Sequence, residues 1–166
     1  MGHCQRPRAL RIAVVGGAEC DDAVATLGEA VGRQIADAGA VLVCGGLGGV
    51  MEAAARGADA AGGTVIGLLP GYDAAAANRW VHIPLPTGLG YARNVLVVAS
   101  ADAVVALPGA AGTRSEVAFA AALGRPVVSV QRADDQPDAT EQADDAREAV
   151  GRALVLARRA RSEGAG

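Results

Sequence analysis

The chain has 166 residues and a formal net charge of −3, enough for one domain (1–166) with its own core and without an electrostatic footprint for nucleic acid. Half of its residues are hydrophobic, yet only Tyr72, Trp80, Tyr91 and Phe119 are aromatic, so Ala, Val, Leu and Ile must build that core. None of the fifteen basic residues is a lysine, which excludes a pyridoxal-phosphate enzyme with its lysine Schiff base and a Walker-type phosphate loop with its lysine.

No apolar run reaches the length of a membrane span and no signal-peptide pattern opens the chain; the expectation is a cytoplasmic protein with no membrane partner. Cys4, Cys20 and Cys44 are odd in number and at no metal-ligand spacing. They read as free thiols of a reducing compartment, with no metal site.

Leu10 to Val15 is an apolar run ending in Gly16-Gly17, which reads as a first strand and a tight turn. Asp21 or Asp22 caps the next helix. It runs to about Ala38, with Val24, Leu27, Val31 and Ile35 at helical spacing. Val41-Leu42-Val43-Cys44 is a second strand and leads straight into Gly45-Gly46-Leu47-Gly48-Gly49, then a helix from about Val50 to Ala61. Four glycines in five residues exceed what a turn needs. A tight turn is one reading of this junction; one wall of a phosphate site is the other. Met51 stands where the dinucleotide fingerprint would place its third glycine.

Gly62-Gly63 leads to a third strand, Thr64 to Leu69, and Pro70-Gly71 opens a loop through Asn78, Arg79 and Trp80. Val81 to Ile83 reads as a short strand, with His82 in a structural role. Pro84, Pro86 and Gly88-Leu89-Gly90 make another loop. A helix follows over about Tyr91 to Ser100, with Arg93 and Asn94 in its first turn. A cation there opposes the helix dipole, so Arg93 either pairs with a ligand anion or is a solvated surface residue.

Ala103 to Leu107 reads as a strand buried on both faces. It ends in Pro108-Gly109-Ala110-Ala111-Gly112 and opens onto a helix whose alanine-rich body is Val117 to Leu123. Unpaired N–H groups and the positive end of the dipole meet small residues there, which is the recipe for holding a phosphate. Thr113 and Glu116 have two compatible readings. They form a capping box, with Thr113 as N-cap and Glu116 three residues later, or Glu116 is a carboxylate presented where ligands bind in open α/β sheets. Gly124-Arg125-Pro126 turns into a last strand, Val127 to Val130. Arg132 to Asp145 is polar and acidic and reads as a mobile loop. A terminal helix over about Glu141 to Arg161 turns Val150, Leu154 and Leu156 or Ala157 inward. Alternating strands and helices predict a doubly wound, mostly parallel sheet with helices on both faces, a Rossmann-like α/β fold.

With these junctions in place, the chain resembles the Lonely Guy family and its relatives, the molybdenum-cofactor-carrier-like proteins. The family pattern P-G-G-x-G-T-x-x-E is matched from Pro108 to Glu116, with Ala110 for a glycine. Gly45-Gly46-Leu47-Gly48-Gly49-Val50-Met51 approximates the family's second glycine segment. Thr87 to Asn94 and Ser100 to Ala103 resemble the carrier-like branch, and the resemblance spans residues 10–130.

In the hydrolase branch it implies release of a base from a nucleoside 5′-monophosphate by a phosphoribohydrolase, with Arg93 and Glu116 as the catalytic pair. In the carrier-like branch it implies a phosphorylated pterin-like ligand held at Gly45, Gly46, Gly48, Gly49 and Met51 and at Pro108, Gly109, Ala110, Ala111, Gly112 and Thr113. No cofactor is then required for catalysis; the molybdenum cofactor or a nucleoside monophosphate is the bound ligand. Either branch implies a homodimer or higher homo-oligomer, and apolar helix faces such as Val95 to Val98 are expected to need its cover. The hydrolases carry Arg-Lys where this chain has Arg93-Asn94, and the reading adopted is binding or carriage of a phosphorylated nucleotide-like or pterin-like ligand.

Overall fold

The computed structural model of the protein describes residues 8–130 and 139–163. Seven strands, β1 (Arg11–Val15), β2 (Val41–Cys44), β3 (Thr64–Leu69), β4 (Ile83–Pro86), β5 (Ala103–Ala106), β6 (Val127–Val130) and β7 (Glu141–Ala143), alternate with helices. They form one sheet in the order β4-β3-β2-β1-β5-β6-β7, and every pairing is parallel. The helices are α1 (Asp22–Asp37), α2 (Val50–Ala60), α3 (Arg93–Ala99), α4 (Ala111–Ala122) and α5 (Ala146–Glu163).

A parallel sheet covered on both faces needs strands that are apolar throughout. β5 and β6 are buried at every position. The two-residue period then sends alternate side chains into two separate cores. Ile12 and Val14 of β1 join Val31, Ile35, Val50, Val150 and Leu154 of α1, α2 and α5. Ala13 and Val15 join Val97, Val98, Val117 and Ala120 of α3 and α4 on the opposite face. Val150, Leu154 and Ala157 are thus inward as expected, while Leu156 is only partly buried.

Three local expectations need correction. The short strand after the third lies at Ile83–Pro86 rather than at 81–83. Its two prolines, lacking N–H donors, are tolerated because β4 is a sheet edge. The segment read as a polar loop contains β7. The Thr140 N–H donates to the Val127 carbonyl at 2.8 Å and the Val127 N–H donates to Thr140 Oγ1 at 3.1 Å, seating the strand. Residues 131–138 of that expected loop lie outside the described residues. The last helix consequently starts at Ala146, behind Asp145, whose carboxylate accepts from the Glu148 N–H at 2.8 Å.

His82 is structural, as expected: its Nδ1 accepts from the Val65 N–H at 3.1 Å, which leaves Nε2 to donate to Asp59 at 3.0 Å. Cys20 and Cys44 are free thiols; Cys4 lies outside the described residues. No helix among the described residues is long and apolar enough to cross a membrane.

At the amino-terminal ends of the strands one carboxylate ties the chain together. Asp102, 5% exposed, accepts two bonds from the Arg161 guanidinium at 3.0 and 2.6 Å. It also accepts from the Arg11 N–H at 2.8 Å. Arg161 reaches further, to the carbonyls of Arg8 and Ala9, so the end of α5 is fixed to the start of β1. Burial alone would raise the Asp102 carboxyl, but hydrogen bonds from Arg161 and Arg11 outweigh it and hold the group below the ordinary carboxylate value.

A depressed carboxylate stabilises the fold above its unfolded value and loses that contribution as pH falls. Asp102→Ala is therefore expected to cost roughly 2–3 kcal/mol at neutral pH, somewhat less than a fully buried broken pair, because the Arg161 side chain is 33% exposed. The deficit should narrow as the medium is acidified. Urea unfolding at pH 7 and pH 3 checks this; a deficit independent of pH would assign the loss to packing.

Candidate functional site

The strand order reverses between β1 and β5: the chain winds from β1 to β4 in one direction and from β5 to β7 in the other. In open α/β sheets the crevice beyond the carboxyl ends of the strands at such a reversal is where ligands dock. Here three loops meet at that point. The Gly17 N–H, after β1, donates to the Pro108 carbonyl after β5 at 3.1 Å, and the Gly17 carbonyl accepts from the Val50 N–H at the start of α2 at 2.9 Å. Gly49, the residue before α2, has φ +63° and lies directly against the Gly17 and Ala18 carbonyls. Only glycine satisfies both demands.

The loops frame a cleft of about 500 Å³, within the ordinary range for small-molecule sites. The structure brings Met51, Arg93, Ala110, Gly112, Thr113 and Glu116 together on its wall. Of the other residues singled out in the sequence, Pro108 contributes the carbonyl that accepts from Gly17, and Gly109 packs against the Gly17 backbone and Thr113. Ala111 opens α4. Gly45, Gly46, Gly48 and Gly49 stand behind the wall and shape it. Gly45 makes room for Arg93, since a Cβ there would stand on the guanidinium and 2.6 Å from Met51 Sδ. Gly46, at φ +75°, packs on Gly67. The sequence reading missed Gly16, Gly17, Ala18, Leu47, Pro70, Gly90, Tyr91 and Asn94 as lining residues. The strand-glycine-helix pattern after β1 repeats that of the other two junctions and was the available signal for the first three.

The capping box does not form. α4 begins at Ala111 with Ala110 as N-cap and no side-chain cap. Thr113 is therefore inside the first turn and 2% exposed, packed on Gly109. Three helix starts border the cleft, those of α2, α3 and α4, and none carries a capping side chain. Asp21 by contrast caps α1, accepting from the Val24 N–H at 2.8 Å. The first N–H groups of α4, at Ala111, Gly112 and Thr113, lack intrahelical partners and emerge among small residues at the positive end of the dipole.

Arg93 is not a surface residue. It is 7% exposed, as is Glu116, and its Nη1 stands 4.0 Å from Glu116 Oε1. That is an ion pair at the limit of contact rather than a hydrogen bond. Arg93 Nε has no partner among the described residues. Burial raises the Glu116 carboxyl to about 7, partly offset by Arg93. Burial lowers Arg93 from its usual value, with Glu116 and Cys44 opposing. Burial also pushes Cys44, behind the pair, to about 11. The cleft thus combines an open helix start, one buried cation and a carboxyl half-protonated near neutral pH. Among the described residues no group of three or more His, Cys, Asp or Glu could hold a metal ion.

Residues 9–158 match the SLOG cluster4 family, and the chain belongs to that family. An uncharacterised protein of Archaeoglobus fulgidus is 42% identical over 124 residues, 75% of this chain and 82% of that protein. The molybdenum cofactor binding protein of Rippkaea orientalis superposes with a TM-score of 0.84 at 32% identity, over 91% of this chain and 99% of that one. The molybdenum cofactor carrier protein of Chlamydomonas reinhardtii gives 0.82 at 33% identity, over 92% and 99%.

A carboxyl raised by the fold stays protonated where the unfolded chain is already ionised, so its contribution to stability falls as pH rises from about 4.5 to 7. Glu116→Gln has no such slope. In ligand-free protein the variant is expected to gain on the parent between pH 5 and pH 8, by up to ~3 kcal/mol. Denaturant unfolding at the two values measures it; a constant difference would place Glu116 in solvent.

Proposed function

We propose that this SLOG cluster4 protein binds and carries one phosphorylated ligand of the nucleotide-like or pterin-like class, its phosphate on the uncapped start of α4 and beside Arg93. The observation that carries the reading is the absence of a capping side chain at the start of α4, which borders the cleft, beside a buried guanidinium whose Nε has no partner among the described residues. These are groups that an anion satisfies. The solved relatives named for the molybdenum cofactor support a pterin-like ligand, which is cargo here. The open helix start suits its phosphate and the apolar lining from Leu47, Met51 and Tyr91 suits a flat ring.

A second reading rests on Glu116. A carboxyl near 7 beside a buried arginine has the properties of a general acid or base, and the same cleft would then hydrolyse the N-glycosidic bond of a nucleoside monophosphate. The uncapped helix start serves both readings; Glu116 separates them.

A homo-oligomer also belongs to the proposal, on different residues from those expected. Val97 and Val98 are fully buried within one chain, so they leave nothing to cover. Instead Ile83, Leu85, Leu96, Phe119 and Leu123 are 37–48% exposed on the α3/α4 side. The outward positions 118, 119, 121, 122 and 123 of α4 carry no charge. The last turns of α4 are thus apolar all round, a surface that is normally covered, and a second copy is the cover proposed.

Calorimetry with GMP tests the first reading. A Cβ at Gly112 meets nothing within 4 Å of the protein, so Gly112→Val should fold like the parent, intrude into the cleft and bind GMP at least about tenfold more weakly. Equal affinity would remove the phosphate from α4. Free base appearing from AMP under turnover, and falling by roughly two orders of magnitude in Glu116→Gln, would favour the hydrolase. Light scattering at micromolar concentration should give at least a dimer, and Phe119→Glu a monomer of unchanged fold; a monomeric parent rejects the interface.

A further inference from the structure

Asn94 follows Arg93 in the first turn of α3 and is 8% exposed. It borders the cleft, yet its carboxamide makes no hydrogen bond within the chain among the described residues. The residue is buried, but neither end of its carboxamide is among the fully buried unpaired atoms of the described residues, so each end can reach a partner: the oxygen accepts, the nitrogen donates. The remaining exposure of the side chain opens into the cleft.

We infer that Asn94 is the specificity residue of the cleft and reads the lactam edge of the ligand's heterocycle, the adjacent C=O and N–H shared by guanine-type and pterin-type rings. The inference rests on the phosphate reading above and extends it to the ring. Three features support a ring edge over the phosphate. The phosphate already has donors at the start of α4 and in Arg93, the one basic side chain lining the cleft among the described residues. A carboxamide oxygen turned toward a phosphate would meet only acceptors. Facing a lactam, the Asn94 nitrogen donates to the ring carbonyl and its oxygen accepts from the ring N–H, so both ends are satisfied at once. A ligand without such an edge would leave both ends buried and unpaired, which is how a site rejects a near neighbour.

The test is calorimetric titration of the parent, Asn94→Leu and Asn94→Ala with three probes: GMP, ribose 5-phosphate and inorganic phosphate. The parent should bind GMP more tightly than ribose 5-phosphate. Asn94→Leu, nearly isosteric, should weaken GMP at least about tenfold while leaving ribose 5-phosphate and phosphate within about twofold. Asn94→Ala removes both the donor and the acceptor, and should lose the same preference if the larger apolar variant fails to fold. Equal losses for GMP and ribose 5-phosphate would move Asn94 to the sugar or phosphate and overturn the inference, as would unchanged GMP binding in both variants. A parent that binds none of the three probes would overturn the phosphate reading itself, a distinct result.

Discussion

The cleft depends on the main chain of one residue. Gly17 donates to the loop after β5 and accepts from the start of α2, and it does so at the place where the sheet changes direction. Two helix starts are thereby aimed at one point, α2 from the β2 side and α4 from the β5 side. The rest of the fold serves this alignment. The twelve-residue α4 is set by β5 and packed through Val117 and Ala120. The opposite ends of the strands are held by Asp102 and Arg161, at the far side of the sheet from the cleft.

Within the cleft, burial works against charge. Arg93 and Glu116 sit close enough to feel each other and too far apart to hydrogen-bond. Burial wins for the carboxyl, which rises to about 7, because a single distant cation does not replace the water that was lost. The arginine keeps an unpaired Nε. A well-packed core would not retain such a pair; local rules of this kind are broken mainly where a ligand completes them.

The central architecture was legible because buried parallel strands announce themselves. Val41–Cys44, Thr64–Leu69 and Val127–Val130 are apolar runs bounded by glycine or proline, and their ends match the expectation. The two edge strands were not. β4 contains two prolines and β7 reads Glu-Gln-Ala, since an edge strand needs neither full burial nor every ladder bond. At the site, the two glycine junctions and the pair Arg93 and Glu116 were visible as residue types at strand ends. The capping box failed because Thr113 and Glu116 have the right spacing but the helix starts two residues before Thr113. Spacing does not reveal where a turn becomes a helix. Asn94 was named only as the departure from the hydrolases' Arg-Lys; its place on the cleft wall was not legible, because nothing in a sequence tells a buried carboxamide from a solvated one.

Most of the parts that would grip a phosphate are peptide groups, joined by one side chain, Arg93; with Asn94 and Glu116 it makes three side-chain positions, 93, 94 and 116, that set the chemistry of the cleft. Peptide groups are common to every sequence that folds this way, so amino-acid replacement cannot erase the cradle without first damaging the fold. Replacement at the three positions can alter what the cradle is for, at little cost to the rest. Such a division makes the fold a durable holder whose task is set by very few letters, and it gives physical grounds for expecting proteins of one ancestry to differ in chemistry while keeping the same grip.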